Sequence, residues 1–397
     1  MTENGGKHKQ GYTAAVQAGR DPRAQFGLVN TPIYRGSTVL FENLAALEQA
    51  TANPYKGVFY GRFGTPTQRA LEDALSQLEG AHGTLLASSG LEAISLAICA
   101  VVRSGSHLLV ADSVYGPTRW FCEKQLAHFG VDVEFYDPLL GAGIRSLLRP
   151  NTAAIFMESP GSLSFEVQDL PAIATVARPA GIKLLIDSTW ATPLHCQPLA
   201  LGADIVIHAL TKYVVGHADA MLGSISCNQA SFDALRETVR RFGAHAAPDD
   251  CSLALRGLRS LPLRLRQHDE NARQLMDWLG RQPEVATILH PDHPDCPGHQ
   301  LFRRDFRAAC GLFSVVLHAQ PSRAALAAMV DGMQHFGLGY SWGGYESLIL
   351  PANPATTRTA TAWPHRGQLL RLHAGLEAPE DLLADLAAAF ERLRRAD

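Results

Sequence analysis

Through the middle third of the chain, short apolar, β-branched runs alternate with stretches whose apolar residues recur three and four positions apart. That alternation is the mark of a largely parallel sheet covered by helices, and it leaves few other architectures open. Strands are predicted at 84–87, 107–111, 153–158, 182–186 and 204–208, with intervening helices such as Gly90 to Val102 and Leu170 to Ala177 packed on the sheet. The class is α/β. From about Arg256 the pattern changes: Leu258, Leu261 and Leu265, then Leu275 to Leu279, predict a long helix leading into a second, smaller domain. The stretch Pro379 to Arg394 places Leu382, Leu383, Leu386, Phe390 and Leu393 on one helical face, with acids early and Arg392, Arg394 and Arg395 late, as the helix dipole favours.

Composition narrows the function. At 397 residues the chain has room for two or three domains. Its 35 basic and 38 acidic residues give a net charge of −3, too balanced for the basic footprint that phosphate-backbone binding needs, so no nucleic-acid partner is expected. Charged residues make up only 18%, which suggests that other subunits cover part of the surface. The polar start, Met1 to Pro22, carries no readable secretory signal, and the densest apolar stretch, Thr84 to Val102, is interrupted by Glu92 and two serines. A cytoplasmic protein without a membrane span is the expectation. The seven cysteines, Cys99, Cys122, Cys196, Cys227, Cys251, Cys296 and Cys310, lie without close pairs and read as reduced, mostly buried thiols. His290, His293, Cys296 and His299 recur every three residues, but Pro291, Pro294 and Pro297 break any helix that would align them. That segment is read as a solvated connection, and no metal site is predicted.

In open α/β sheets ligands sit at the carboxyl ends of the strands. Here those ends carry Ser88-Ser89-Gly90, Asp112 with Tyr115, Glu158-Ser159, Asp187 and Thr211-Lys212. A serine-rich turn, an aromatic ring, a carboxylate and a lysine on one rim form a set suited to a phosphorylated cofactor with a cationic ring. Lys212, at the mouth of a buried strand, is placed where desolvation and a neighbouring cation lower an amine's pKa. Asp187 ends an apolar strand and needs a positive or donor partner, which a protonated ring nitrogen would supply. The turn at Ser88 to Gly90 opens a helix and offers its amides to a phosphate. Tyr115 would stack on the ring.

These residues carry a resemblance. The chain resembles the Cys/Met-metabolism family of pyridoxal-phosphate enzymes, nearest to its bacterial cystathionine β-lyases, over almost its whole length. The match runs through Tyr34-Arg35-Gly36-Ser37-Thr38-Val39-Leu40-Phe41 and Phe59-Tyr60-Gly61-Arg62-Phe63-Gly64-Thr65-Pro66-Thr67. It continues with Asp187-Ser188-Thr189-Trp190-Ala191-Thr192-Pro193 and Thr211-Lys212-Tyr213-Val214-Val215-Gly216-His217-Ala218-Asp219. It ends with Tyr340-Ser341-Trp342-Gly343-Gly344-Tyr345-Glu346-Ser347-Leu348 and Arg371-Leu372-His373-Ala374-Gly375-Leu376-Glu377. The resemblance implies the fold type I of these enzymes, like that of aspartate aminotransferase. It divides the chain into an arm reaching the neighbouring subunit (1–60), a cofactor-binding α/β domain (61–256) and a smaller α+β domain (257–397). It implies pyridoxal 5′-phosphate held by Lys212, Asp187, Tyr115, Gly90, Leu91 and Thr211, with Tyr60 and Arg62 reaching the phosphate of the neighbour's cofactor. An obligatory homodimer, usually paired into a tetramer, follows from that sharing. Arg371 is implied to clamp the substrate carboxylate, assisted by Ser341 beside Trp342, and Lys212 to move the α proton, assisted by Tyr115 or Tyr60.

Two positions depart from the pattern: Ala209 stands where many members have a phosphate-binding serine, and Ser188 where many have asparagine. The implied reaction is β-elimination, in which L-cystathionine gives L-homocysteine, pyruvate and ammonia, with cystine or cysteine conjugates as further substrates. γ-Eliminating and γ-replacing members share the cofactor residues. They resemble Glu-Ser-Leu-Gly-Gly where this chain reads Tyr340-Ser341-Trp342-Gly343-Gly344, which favours the β reaction. An NAD-dependent oxidoreductase has only Gly141-Ala142-Gly143 behind it, which neither follows a strand nor reaches a third glycine. A silent regulator on this fold is opposed by the retained Lys212 and Asp187.

Overall fold

In the computed structural model, residues 11–396 are described; the first ten residues, which include part of the stretch read for a leader, lie outside the description. Among the described residues twelve strands form two sheets: β1 (Gly83–Ala87), β2 (His107–Ala111), β3 (Asp132–Tyr136), β4 (Thr152–Glu158), β5 (Lys183–Asp187), β6 (Ile205–His208), β7 (Gly223–Cys227), β8 (Val285–Leu289), β9 (Leu312–Leu317), β10 (Phe336–Leu338), β11 (Ser347–Ala352) and β12 (Leu369–His373). The seven-stranded sheet runs in the order β1-β7-β6-β5-β4-β2-β3. β7 is antiparallel to both neighbours and all its other pairings are parallel, as the alternating pattern requires.

The five predicted strands fall on β1, β2, β4, β5 and β6 within a residue or so, and the helix Leu170–Ala177 on its expected residues. Two strands lay outside that reading. β3 is an edge strand paired with β2 alone, and β7, Gly-Ser-Ile-Ser-Cys, lacks the apolar run that marks a buried strand although all five of its residues are buried. Ser226 is paired across strands, its hydroxyl meeting that of Thr84 at 2.8 Å, while Ser224 is buried beside it on the strand. The predicted long helix spans Pro248–Leu279. Leu255, Leu258, Leu261 and Leu265 pack in one hydrophobic core while Ala272, Leu275 and Leu279 pack in another, so this single helix crosses the 256/257 division and is shared by both cores.

The second sheet, β10-β11-β12-β9-β8, is mostly antiparallel. One face of β12, Leu370 and Leu372, joins the core beneath the helix Pro379–Ala396, whose Leu382, Leu386, Phe390 and Leu393 are buried as its periodicity predicts. The other face presents Leu369, Arg371 and His373 toward the first sheet. The proline-rich stretch after β8 corrects an expectation: it is not solvated throughout. His290 and Cys296 are buried, His290 lying against Trp190 and Cys296 donating to the Phe165 carbonyl at 3.4 Å. The segment folds back on the central domain through Val167, whose N–H donates to the Pro297 carbonyl at 3.0 Å, while Pro294, Asp295 and Pro297 stay exposed. All seven cysteines are free and six are buried. Gly141 to Leu147 form a short 3-10 helix, not the turn of a dinucleotide-binding strand.

Candidate active site

One cavity of about 500 Å³ opens at the carboxyl ends of the parallel strands, and it gathers Gly90, Leu91, Tyr115, Asp187, Thr211, Lys212, Ser341, Trp342 and Arg371 from both sheets. Tyr60 and Arg62 are not part of its wall. Arg62 lines a separate cleft, where its guanidinium donates to the Arg240 carbonyl at 3.1 Å.

Local chemistry places each group. β5 delivers Asp187, whose Oδ1 accepts the Thr189 N–H at 2.9 Å and the Thr189 hydroxyl at 2.6 Å. Among the described residues no hydrogen bond falls on Oδ2, which leaves that oxygen for a donor in the cavity. Burial pushes the Asp187 carboxyl above its usual range, against the pull of Thr189 and of the His208 and Lys212 charges. A cationic ring nitrogen is the partner that would restore its ionisation. Thr189 also accepts the Ala209 N–H at 2.8 Å, so the departure at 209 is tied by its backbone to the aspartate's support.

The helix Gly90–Cys99 starts at the rim with Ser89 as its cap, accepting the Glu92 N–H at 3.1 Å. Its first N–H groups have no acceptor within the helix, and the dipole favours an anion there. Gly90 is required by packing: a Cβ on it would lie 2.5 Å from Cβ of Ala209. Ser88 is already engaged, donating from backbone and hydroxyl to Glu92 Oε2 at 2.6 and 2.7 Å. Thr211 is engaged as well, its N–H and hydroxyl donating to the Leu222 carbonyl at 3.2 and 3.1 Å. A phosphate therefore falls mainly to the Gly90 and Leu91 amides.

Lys212 projects between the sheets, and burial together with the Arg371 charge lowers its amine to about 8, against Asp187. Its Nζ donates to Ser341 Oγ at 2.7 Å and lies 5.4 Å from the Trp342 ring centroid. The Ser341 carbonyl in turn accepts from Arg371 at 2.9 Å, so one serine holds both the amine and the guanidinium. It does so from φ +79°, the left-handed region that non-glycine residues adopt only under tertiary constraint. Burial brings Arg371 down to about 10. Tyr115, half exposed, donates its N–H to Glu158 Oε2 at 2.7 Å; burial, with Glu158 next, raises its phenol.

The residues present fit a phosphorylated, cationic-ring aldehyde: an unprotonated-prone lysine, a buried carboxylate with an open oxygen, a helix start that admits only glycine and an aromatic lid. The sequence reading passed over Thr189, which supports Asp187, and His373, two residues beyond Arg371 on the same strand face. The two-residue spacing was the available signal in both cases.

Comparison with known proteins shows the family. The family model described as Cys/Met metabolism PLP-dependent enzyme matches residues 12–391. The chain is 42% identical over 388 residues to cystathionine beta-lyase MetC of Escherichia coli, covering 96% of this chain and 98% of that one. It is 41% identical over 392 residues to cystathionine beta-lyase of Salmonella typhimurium, covering 97% and 99%. The solved cystathionine gamma synthase from Xanthomonas oryzae pv. oryzae, in complex with cystathionine, superposes with a TM-score of 0.89 at 31% identity, covering 98% of this chain and 100% of that one. By sequence along its length and by architecture, the chain belongs to the Cys/Met metabolism PLP-dependent enzymes and takes pyridoxal phosphate as its cofactor.

Proposed function

We propose that the protein catalyses β-elimination at the carbon–sulfur bond of L-cystathionine, giving L-homocysteine, pyruvate and ammonia with uptake of one water. The observation that carries this reading is the single serine, Ser341, that holds both the Lys212 amine and the Arg371 guanidinium in one cavity. The names of the relatives support the substrate, and the Tyr340-Ser341-Trp342-Gly343-Gly344 wall supports β over γ chemistry.

Lys212, Asp187, Tyr115 and the amides of Gly90 and Leu91 would hold pyridoxal phosphate, with Tyr60 and Arg62 of the neighbouring subunit reaching its phosphate. When bound, the cofactor supplies an electron sink for charge developing at the substrate's α carbon. The chain does the rest. Arg371 grips the α-carboxylate with a charge-assisted fork and fixes the direction of the Cα–H bond. Lys212, whose lowered pKa makes its neutral form accessible near neutral pH, takes the α proton at Nζ. Tyr115 covers the site and excludes water. The thiolate then departs from Cβ.

A homodimer, pairing into a tetramer, is part of the proposal. Phe26, Leu28, Val29, Ile33, Leu40 and Leu44 are exposed in the N-terminal segment, as an arm laid on another subunit would require. A cytoplasmic placement belongs to the same proposal; among the described residues no helix is long and apolar enough to cross a membrane. Incubation with L-cystathionine and identification of the keto acid is the test: pyruvate is expected, and 2-oxobutyrate would overturn the reading in favour of γ-elimination.

A further inference from the structure

The turn that carries Ser341 is itself held from behind by a side chain that does not line the cavity. His373 lies on β12 two residues after Arg371, buried with 1% of its surface exposed. Its Nε2 accepts the Gly343 N–H at 3.1 Å, and its Nδ1 lies 3.1 Å from the Glu346 carbonyl, to which it donates. Accepting at one nitrogen and donating at the other requires the neutral ring with the proton on Nδ1. Burial, with the Arg371 and Lys212 charges, keeps the ring well below its usual pKa and therefore neutral, against the bond to the Glu346 carbonyl.

Gly343 is the point where this hold is transmitted. It sits at φ +86°, and a Cβ there would come within 2.8 Å of the Tyr213 nitrogen and 2.9 Å of the Lys212 carbonyl carbon. The turn is thus pressed against the backbone of the lysine on one side and pinned by the imidazole on the other. Ser341, two residues earlier, meets Lys212 and Arg371 through its hydroxyl and carbonyl.

We propose that His373 is a positioning residue which, by pinning the turn 341–346, orients Arg371 and Lys212 toward the substrate's carboxylate and α carbon. The proposal rests on the assignment of Arg371 as the carboxylate clamp. It is separate from the choice between β- and γ-elimination, since both need that clamp.

The test compares two polar variants by equilibrium binding to the loaded protein, followed by absorbance. His373→Gln keeps an acceptor near the position of Nε2, whereas His373→Asn keeps only the reach of Nδ1. The probes are L-alanine, which carries the carboxylate, and ethylamine, which lacks it. For His373→Asn the dissociation constant of L-alanine should rise ~10-fold or more, as expected when a charge-assisted hydrogen bond is misdirected. Ethylamine binding and pyridoxal phosphate affinity of the cofactor-free protein should change less than ~2-fold, and His373→Gln should restore L-alanine binding to within ~3-fold. Equal weakening of both probes, unchanged L-alanine binding in His373→Asn, or equal failure of the two variants would overturn the proposal. If His373→Asn does not fold, His373→Leu decides, because it fills the space and removes the acceptor from the Gly343 N–H: loss confined to L-alanine supports the proposal and equal loss overturns it. A parent protein that binds both probes equally would sink the Arg371 assignment, and the proposal with it.

Discussion

The two walls of the active site are built on different principles. On the seven-stranded sheet, Asp187 ends the buried strand β5, Lys212 stands just past the buried strand β6, and Gly90 opens a helix just past the edge strand β1. Each is placed by its own strand and the next few residues. On the five-stranded sheet, Arg371 is placed by its strand, but Ser341 is placed by contacts 129 and 30 residues away in sequence, with Lys212 and Arg371. Its left-handed backbone costs about 1–3 kcal/mol that the surrounding contacts must offset. The first wall is placed mostly by local structure, whereas the second is a turn held in a disfavoured conformation by long-range bonds. In the proposed reaction the chemistry of electron withdrawal belongs to the first and the orientation of the substrate to the second.

If that division holds, substitutions on the first wall strike turnover and those on the second strike substrate binding. The largest effect is expected for Lys212→Ala, which removes the proton-transferring amine and should lower kcat at least about 10³-fold, while the folded protein retains its circular dichroism. Next is Arg371→Lys, which keeps the charge and loses the bidentate fork; KM should rise about 10- to 100-fold with a smaller change in kcat. A larger fall in kcat than rise in KM would erase the distinction between the walls. Gly90→Ala forces the helix start off Ala209 and should weaken pyridoxal phosphate binding about 10-fold, by an overpacking cost of about 1–3 kcal/mol. Pairing it with Ala209→Gly should recover part of that loss, readable by titrating the cofactor-free protein.

The smallest effect concerns protonation. In the cofactor-free protein, acylation of Lys212 should titrate with a midpoint of about 8, followed by mass spectrometry of the modified peptide. Because the folded pKa is lowered from 10.5 to about 8, the unfolded chain binds more protons between those values. The contribution of Lys212 is therefore a penalty that is full below about 8 and disappears as pH rises toward 10.5. Lys212→Met should accordingly raise the melting temperature of the cofactor-free protein at pH 7 and converge with the parent at higher pH.

Much of the fold was legible because burial on both faces of a parallel strand demands a continuous apolar run, as at Ile205–His208 and Lys183–Asp187. β7 escaped that signal because its serines are buried rather than solvated, Ser226 being paired with Thr84 across strands. The buried His290 escaped because a proline-rich segment reads as solvent-facing until the surface it folds onto is known. Within the site, Lys212, Asp187, Gly90 and Tyr115 were marked by standing just past apolar runs.

What the amino-acid order determined by itself is the α/β alternation and the set of polar groups at the strand ends, since both follow from residue type and spacing along a few turns of chain. What only the tertiary structure decided is how Ser341, Thr189 and His373 serve those groups. A hydroxyl, a carbonyl and an imidazole acquire a role from the direction in which hydrogen-bonding partners approach them, and those partners come from strands and turns that no local pattern relates.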